Sequence, residues 1–238
     1  MAFTPEEITL LQWLTVFIII VKWSLVCVLA VKLYQKKKKQ RLEITDFFVG
    51  VFVFLLTLAI SRVLFFYFDF YLTALDPANF LMGSNLIYWR IASAITGFGV
   101  GFLLIVVDKR ILSFKLKGIL GYIVMGSAVL HLFYPIYTLN DFWTLSTIGT
   151  IAGASIIIIP IFFLYLGIKV PSNRAVAFLL AIGSICYAIA SLGISETFLG
   201  PLEQLVGGDI RSIFIIIMTI MRAGSLITIG LSSTKLQI

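Results

Sequence analysis

Apolar runs of about 20 residues or more alternate with short polar breaks from one end of the chain to the other. At a rise of about 1.5 Å per residue each run can cross a hydrocarbon layer of about 30 Å. Inside that layer every backbone amide must be paired within its own segment, so the runs predict helices. The pattern predicts an all-α, polytopic integral membrane protein with seven spans: Pro5–Tyr34, Ile44–Tyr71, Asn85–Val107, Lys117–Leu139, Asp141–Lys169, Asn173–Ser195 and Ile210–Ser233. Between them lie Gln35–Glu43, Leu72–Ser84, Asp108–Leu116, a tight turn at Asn140, Val170–Ser172 and Glu196–Asp209. Connections this short make successive helices antiparallel neighbours. Residues 1–238 are therefore expected to form a single seven-helix transmembrane bundle.

Charge adds sidedness. Lys36, Lys37, Lys38, Lys39 and Arg41 follow span 1. Lys109, Arg110, Lys115 and Lys117 follow span 3, Lys169 and Arg174 flank the gap after span 5, and Lys235 follows span 7. Seven crossings put all of these on one face. The acids Glu6, Glu7, Asp69, Asp76, Asp141, Glu196, Glu203 and Asp209 fall on the other, where only Arg90 and Arg211 are basic. Basic residues collect on the cytoplasmic side, so the chain is expected N-out and C-in, as a multi-pass protein of the cell membrane. Trp13, Tyr88, Trp89, Tyr137 and Trp143 lie at the expected outer ends, where an aromatic belt belongs.

Composition agrees. Of 238 residues, 61% are hydrophobic and 12% charged, too few to cover a soluble domain. The net charge of +7 reads as a lipid-facing cytoplasmic rim rather than a nucleic-acid surface. Cys27 and Cys186 lie in separate apolar runs with no neighbouring metal ligand and read as packing residues. The first run is long and follows Glu6 and Glu7 rather than a basic segment, so it reads as a retained helix and not a cleaved signal. Thr4-Pro5-Glu6-Glu7 has the form of a helix start. Small residues recur four apart at Ser93, Gly97 and Gly101, and again at Gly149 and Gly153, which lets helices approach closely in lipid. Pro160 should kink span 5.

Ionisable groups at membrane depth are costly and need a reason. Arg222 falls near the middle of span 7, Lys22 near the middle of span 1 and His131 just outside the middle of span 4. Arg62 falls in the outer third of span 2, and Arg90 about one turn below the outer end of span 3. No carboxylate falls at the same depth; Asp69 is two turns above Arg62. Gln12, Thr15 and Lys22 share one helical stripe, and Thr219, Arg222 and Ser225 another. If spans 1, 2, 3 and 7 adjoin, Arg222, Arg62, His131, Arg90 and Lys22 would line an outward cavity suited to a carboxylate, a phosphate or a lipid head group. The competing reading is structural: snorkelling for Arg62, Arg90 and Lys22, and hydrogen bonds to neighbouring carbonyls and hydroxyls for Arg222.

Several functions fall away by counting. One histidine excludes bis-histidine haem and histidine-rich metal sites. There is no Walker A loop, no His-Glu-x-x-His and no nucleophile elbow. Relay pumps and aspartate proteases need carboxylates at mid-depth, whereas Asp46, Asp69 and Asp108 sit at helix ends. No enzymatic activity, metal or cofactor is expected.

Tyr88-Trp89-Arg90 faintly resembles the third helix of microbial rhodopsins, but span 7 offers Arg222, which forms no retinal Schiff base, and Lys235 lies at its end. Sugar transporters of the three-plus-one-plus-three type carry prolines in four helices, where only span 5 has one at mid-span here. Arg90-Ile-Ala-Ser-Ala-Ile-Thr and Arg222-Ala-Gly-Ser-Leu-Ile-Thr match at four positions, as a parallel repeat of spans 1–3 in spans 5–7 would require. In architecture the whole chain resembles the seven-helix sensor modules of prokaryotic, particularly archaeal, membrane proteins, without the kinase output domain some of them carry. That resemblance implies a receptor or sensor-like protein signalling through a separate partner. An organic-anion carrier and an accessory subunit of a larger membrane complex are the alternatives. The expected partners are the lipid bilayer, an anionic ligand or lipid, a cytoplasmic or membrane protein and a second copy of the chain, but no nucleic acid. Glu196–Asp209 would form either loop cover without function or a short helical lid over the cavity.

Overall fold

The computed structural model describes residues 5–39, 46–154, 157–193 and 209–236. Among these residues the regular secondary structure is all helical, without strands. Its α-helices are α1 (Pro5–Lys39), α2 (Phe47–Phe66), α3 (Asn85–Ile111), α4 (Ile119–Phe133), α5 (Leu139–Ala154), α6 (Ile158–Lys169), α7 (Arg174–Gly193) and α8 (Asp209–Ser233). α2 runs on through a wider π-helical turn, Tyr67–Leu72. Five of these segments are long and apolar enough to cross a membrane: α1, α2 with its π turn, α3, α7 and α8. The chain is thus a membrane-embedded helical protein.

Four boundaries differ from the sequence expectation, each for a physical reason. α1 does not stop at Tyr34 but continues through the lysines to Lys39. Lysine and glutamine are good helix formers, so charge marks the edge of the apolar layer and not the end of the helix. α3 extends past Val107 to Ile111 because Asp108, 3% exposed, turns inward. Its carboxylate accepts the Leu116 and Gly118 amides at 3.1 and 2.7 Å. The turn between them holds Ser113, Phe114 and Lys117 at positive φ.

α4 ends at Phe133, six residues before the expected Leu139. Pro135 forces Tyr134 into an extended conformation (φ −62°, ψ 128°) and stops the helix. The break before α5 therefore spans Tyr134–Thr138, and Asn140, expected in a turn, is helical. There Asp141 accepts the Thr138 amide and hydroxyl, both at 2.9 Å, as a first-turn cap. Finally, the expected span Asp141–Lys169 is two helices, α5 and α6, with Pro160 in the first turn of α6. Proline is tolerated there because its missing N–H has no intrahelical partner to lose.

The chain divides into two compact units, one built on Lys22–Ile156 and the other on the first half of α1 with α6, α7 and α8. In the first unit α3 lies close against α4 along the Ser93-Gly97-Gly101 stripe. A methyl at Gly97 would stand 2.7 Å from the Ala128 Cβ, and one at Gly101 would stand 2.7 Å from the Gly121 carbonyl oxygen. At one end of this unit Phe68, Trp89, Phe142 and Leu145 form a buried cluster, with Phe80 stacked between α2 and α5. The loop beneath is held by Asn85, whose amide donates to the Leu72 and Asn79 carbonyls at 3.2 and 2.9 Å. At the other end Arg110 pairs with Asp46 at 2.7 Å, tying the end of α3 to the start of α2. In the second unit Gly167 on α6 lies against Phe178, and Gly183 on α7 lies against Ile229 and Thr228 of α8.

Candidate functional site

The five cations singled out in the sequence are divided between the two units. Arg222 belongs to the second unit and the other four to the first. Lys22 is 2% exposed and donates to the Leu58 carbonyl at 3.1 Å, an oxygen that also accepts the Ser61 hydroxyl at 3.3 Å. Arg62 reaches Asp69 at 3.6 Å. Seven residues apart, the two share a helical face, and the arginine side chain spans the two turns between them. Arg90 donates through both terminal nitrogens, to the Leu132 carbonyl at 2.8 Å and the Tyr134 carbonyl at 2.7 Å. These are the carbonyls that Pro135 leaves without helical partners, so Arg90 closes the C-terminus of α4. Arg222 lies over the Tyr187 ring, 5.4 Å from its centroid, with a 3.5 Å bond to the hydroxyl. Its Nε is buried and has no partner among the described residues. Glu196, Glu203 and the expected lid Glu196–Asp209 lie outside the described residues, save Asp209 at the start of α8.

His131 is different. It is 4% exposed and lines a cavity of about 250 Å³ among α2, α3, α4 and α5, within the first unit. The lining follows helical spacing: Ser93, Thr96, Gly97 and Val100 on α3, Val124, Ser127, Ala128 and His131 on α4, and Ser146, Gly149 and Thr150 on α5. Phe65 and Trp89 also line it, so the cavity abuts the aromatic cluster to which Trp89 belongs. Of the lining residues, Thr150 is exposed, whereas Ser127, Ala128 and His131 are buried.

The polar atoms are ordered. His131 Nδ1 lies 2.7 Å from the Ser127 carbonyl oxygen. A carbonyl only accepts, so Nδ1 carries the proton, and in the neutral ring Nε2 is a bare acceptor. Nε2 faces Gly149, where a methyl would approach to 2.6 Å, and has no hydrogen-bond partner among the described residues. The hydroxyls of Thr96, Ser127 and Thr150 donate to the carbonyls of Ala92, Val124 and Ser146 at 2.9 Å each. Their oxygen lone pairs remain for the cavity.

Sequence reasoning found His131 and missed the rest of this wall. Its signal was present: hydroxyl, glycine and alanine positions at i, i+3 and i+4 on three successive helices. Among the described residues no group of three His, Cys, Asp or Glu side chains comes together as a metal site. No protein family, curated protein or solved structure matches the chain.

Proposed function

We propose that the chain is a receptor-like protein that crosses the membrane seven times and takes a small molecule into the α2–α5 cavity. The observation that carries this reading is the buried His131 ring, which lines the cavity beside Gly149 and whose Nε2 has no hydrogen-bond partner among the described residues. An imidazole nitrogen that accepts no hydrogen bond from the protein is open to a donor carried by a guest. The volume of about 250 Å³ falls just below the range of drug-sized sites and suits a smaller molecule.

The seven crossings are the five long helices, α4, and α5 with α6 as one interrupted span. Lys36–Lys38 at the end of α1, Lys109 and Arg110 at the end of α3 and Lys169 at the end of α6 favour a cytoplasmic face there. Asp69, Asp76 and Asp141 occupy the opposite ends, which favours an outside N-terminus.

Purified in lipid nanodiscs, the protein should take up toluene at a saturable site that empty discs lack and that Ser146→Trp abolishes without loss of helical circular dichroism. Uptake no greater than lipid partitioning overturns the reading. The second reading, an organic-anion carrier, is favoured by Arg222, a partly buried cation that is held by one ring and one 3.5 Å bond. It requires carboxylate flux into liposomes from the purified chain that Arg222→Met removes. Stoichiometric co-purification with other chains, with neither binding nor flux, would instead mark an accessory subunit.

A further inference from the structure

We infer that the cavity selects a neutral, membrane-soluble molecule carrying one hydroxyl or N–H group, which donates its hydrogen to His131 Nε2. The inference rests on the cavity being the ligand site proposed above and adds the chemical class of its occupant.

Three observations narrow that class. First, the wall is rich in acceptors. The protons of Thr96, Ser127, Thr150 and His131 Nδ1 all go to carbonyls of their own helices, so lone pairs face inward. Ser93 and Ser146 hydroxyls can rotate to either role. An anion needs donors, and this wall has few to give. Second, Arg90 binds the carbonyls of Leu132 and Tyr134, directly after His131 in the chain. A guanidinium fixed at the end of the helix that carries His131 disfavours a cationic guest. A neutral donor satisfies both conditions.

Third, the exposed lining residue bears on the route. Thr150 is exposed and lies eleven residues after Leu139, the start of α5, about 16 Å along the helix. Tyr137 and Trp143 flank that start, as residues at a membrane interface do. In the seven-crossing arrangement proposed above, that position stands at hydrocarbon depth, which favours a guest that comes dissolved in lipid.

The test compares phenol, anisole and benzoate on the protein in nanodiscs, with affinities referred to the lipid-phase concentration measured on empty discs. Phenol and anisole differ by the donor, and benzoate adds the charge. Phenol is expected to bind about fivefold tighter than anisole, the worth of one buried hydrogen bond, and benzoate at least about tenfold weaker than phenol. His131→Leu should bring phenol and anisole within about twofold of each other. Because the chain has one histidine, its imidazole ¹⁵N signals need no assignment. Phenol should shift the unprotonated Nε2 resonance and anisole should leave it in place, a readout that needs no variant. Equal binding of phenol and anisole overturns the donor inference and leaves the cavity as a ligand site. Preference for benzoate overturns it in favour of an anion. Binding of none of the three overturns the cavity reading itself.

Discussion

α3 and α8 carry the same short pattern, an arginine followed three, five and six residues later by Ser, Ile and Thr, yet the two arginines live differently. The threonines behave alike: Thr96 donates to Ala92 and Thr228 to Gly224, each at 2.9 Å on its own helix. Arg90 is anchored by two short bonds to carbonyls at the end of α4. Arg222 rests on one ring and one long bond. What separates them is not their own helix but the neighbour. Pro135 breaks α4 beside Arg90 and frees two strong acceptors, whereas the Tyr187 that faces Arg222 lies inside the unbroken α7. A buried cation is held by whatever backbone lies unpaired nearby.

This contrast can be tested by removing each side chain in turn. Arg90→Met should cost the most, about 3 kcal/mol of unfolding free energy in detergent, because two charge-assisted bonds vanish and leave carbonyls bare. An effect equal to that of Arg222→Met would erase the contrast. Adding Pro135→Ala to Arg90→Met should restore about 1 kcal/mol, since the helix can then continue and pair those carbonyls with amides. No recovery in that double variant would mean the proline is not what makes Arg90 necessary. Arg222→Met should cost less than about 1 kcal/mol, the scale of a cation–π contact at a partly exposed site. Smallest of all, Tyr187→Phe should stay within about 0.5 kcal/mol of the parent, because a 3.5 Å bond contributes little and the ring is kept.

Hydropathy and helicity are separate signals, and the places where the expected spans differ from the observed helices are where the two part. Asn85 and Ser233 bound their helices where expected, since apolar run and backbone end together there. Between Tyr134 and Leu139 the apolar run continues while Pro135 ends the helix. At Lys36–Lys39 the reverse holds. The Arg62–Asp69 contact was readable as a shared helical face, but the two turns between them were taken as separation in depth. The cavity was the least legible feature. Its wall is made of serine, threonine, glycine and alanine, residues that serve helix packing equally well, and only their convergence on three helices distinguishes a hollow from a tight contact.

α4 has 15 residues, a rise of about 22 Å, against a hydrocarbon thickness of about 30 Å. In the seven-crossing arrangement the bilayer around this helix must pucker inward, or head groups must follow the Tyr134–Thr138 segment down. Either response strains the surrounding lipid. The protein should accordingly gather in thin membranes and lose solubility in long-chain ones, with α4 as its gauge of thickness.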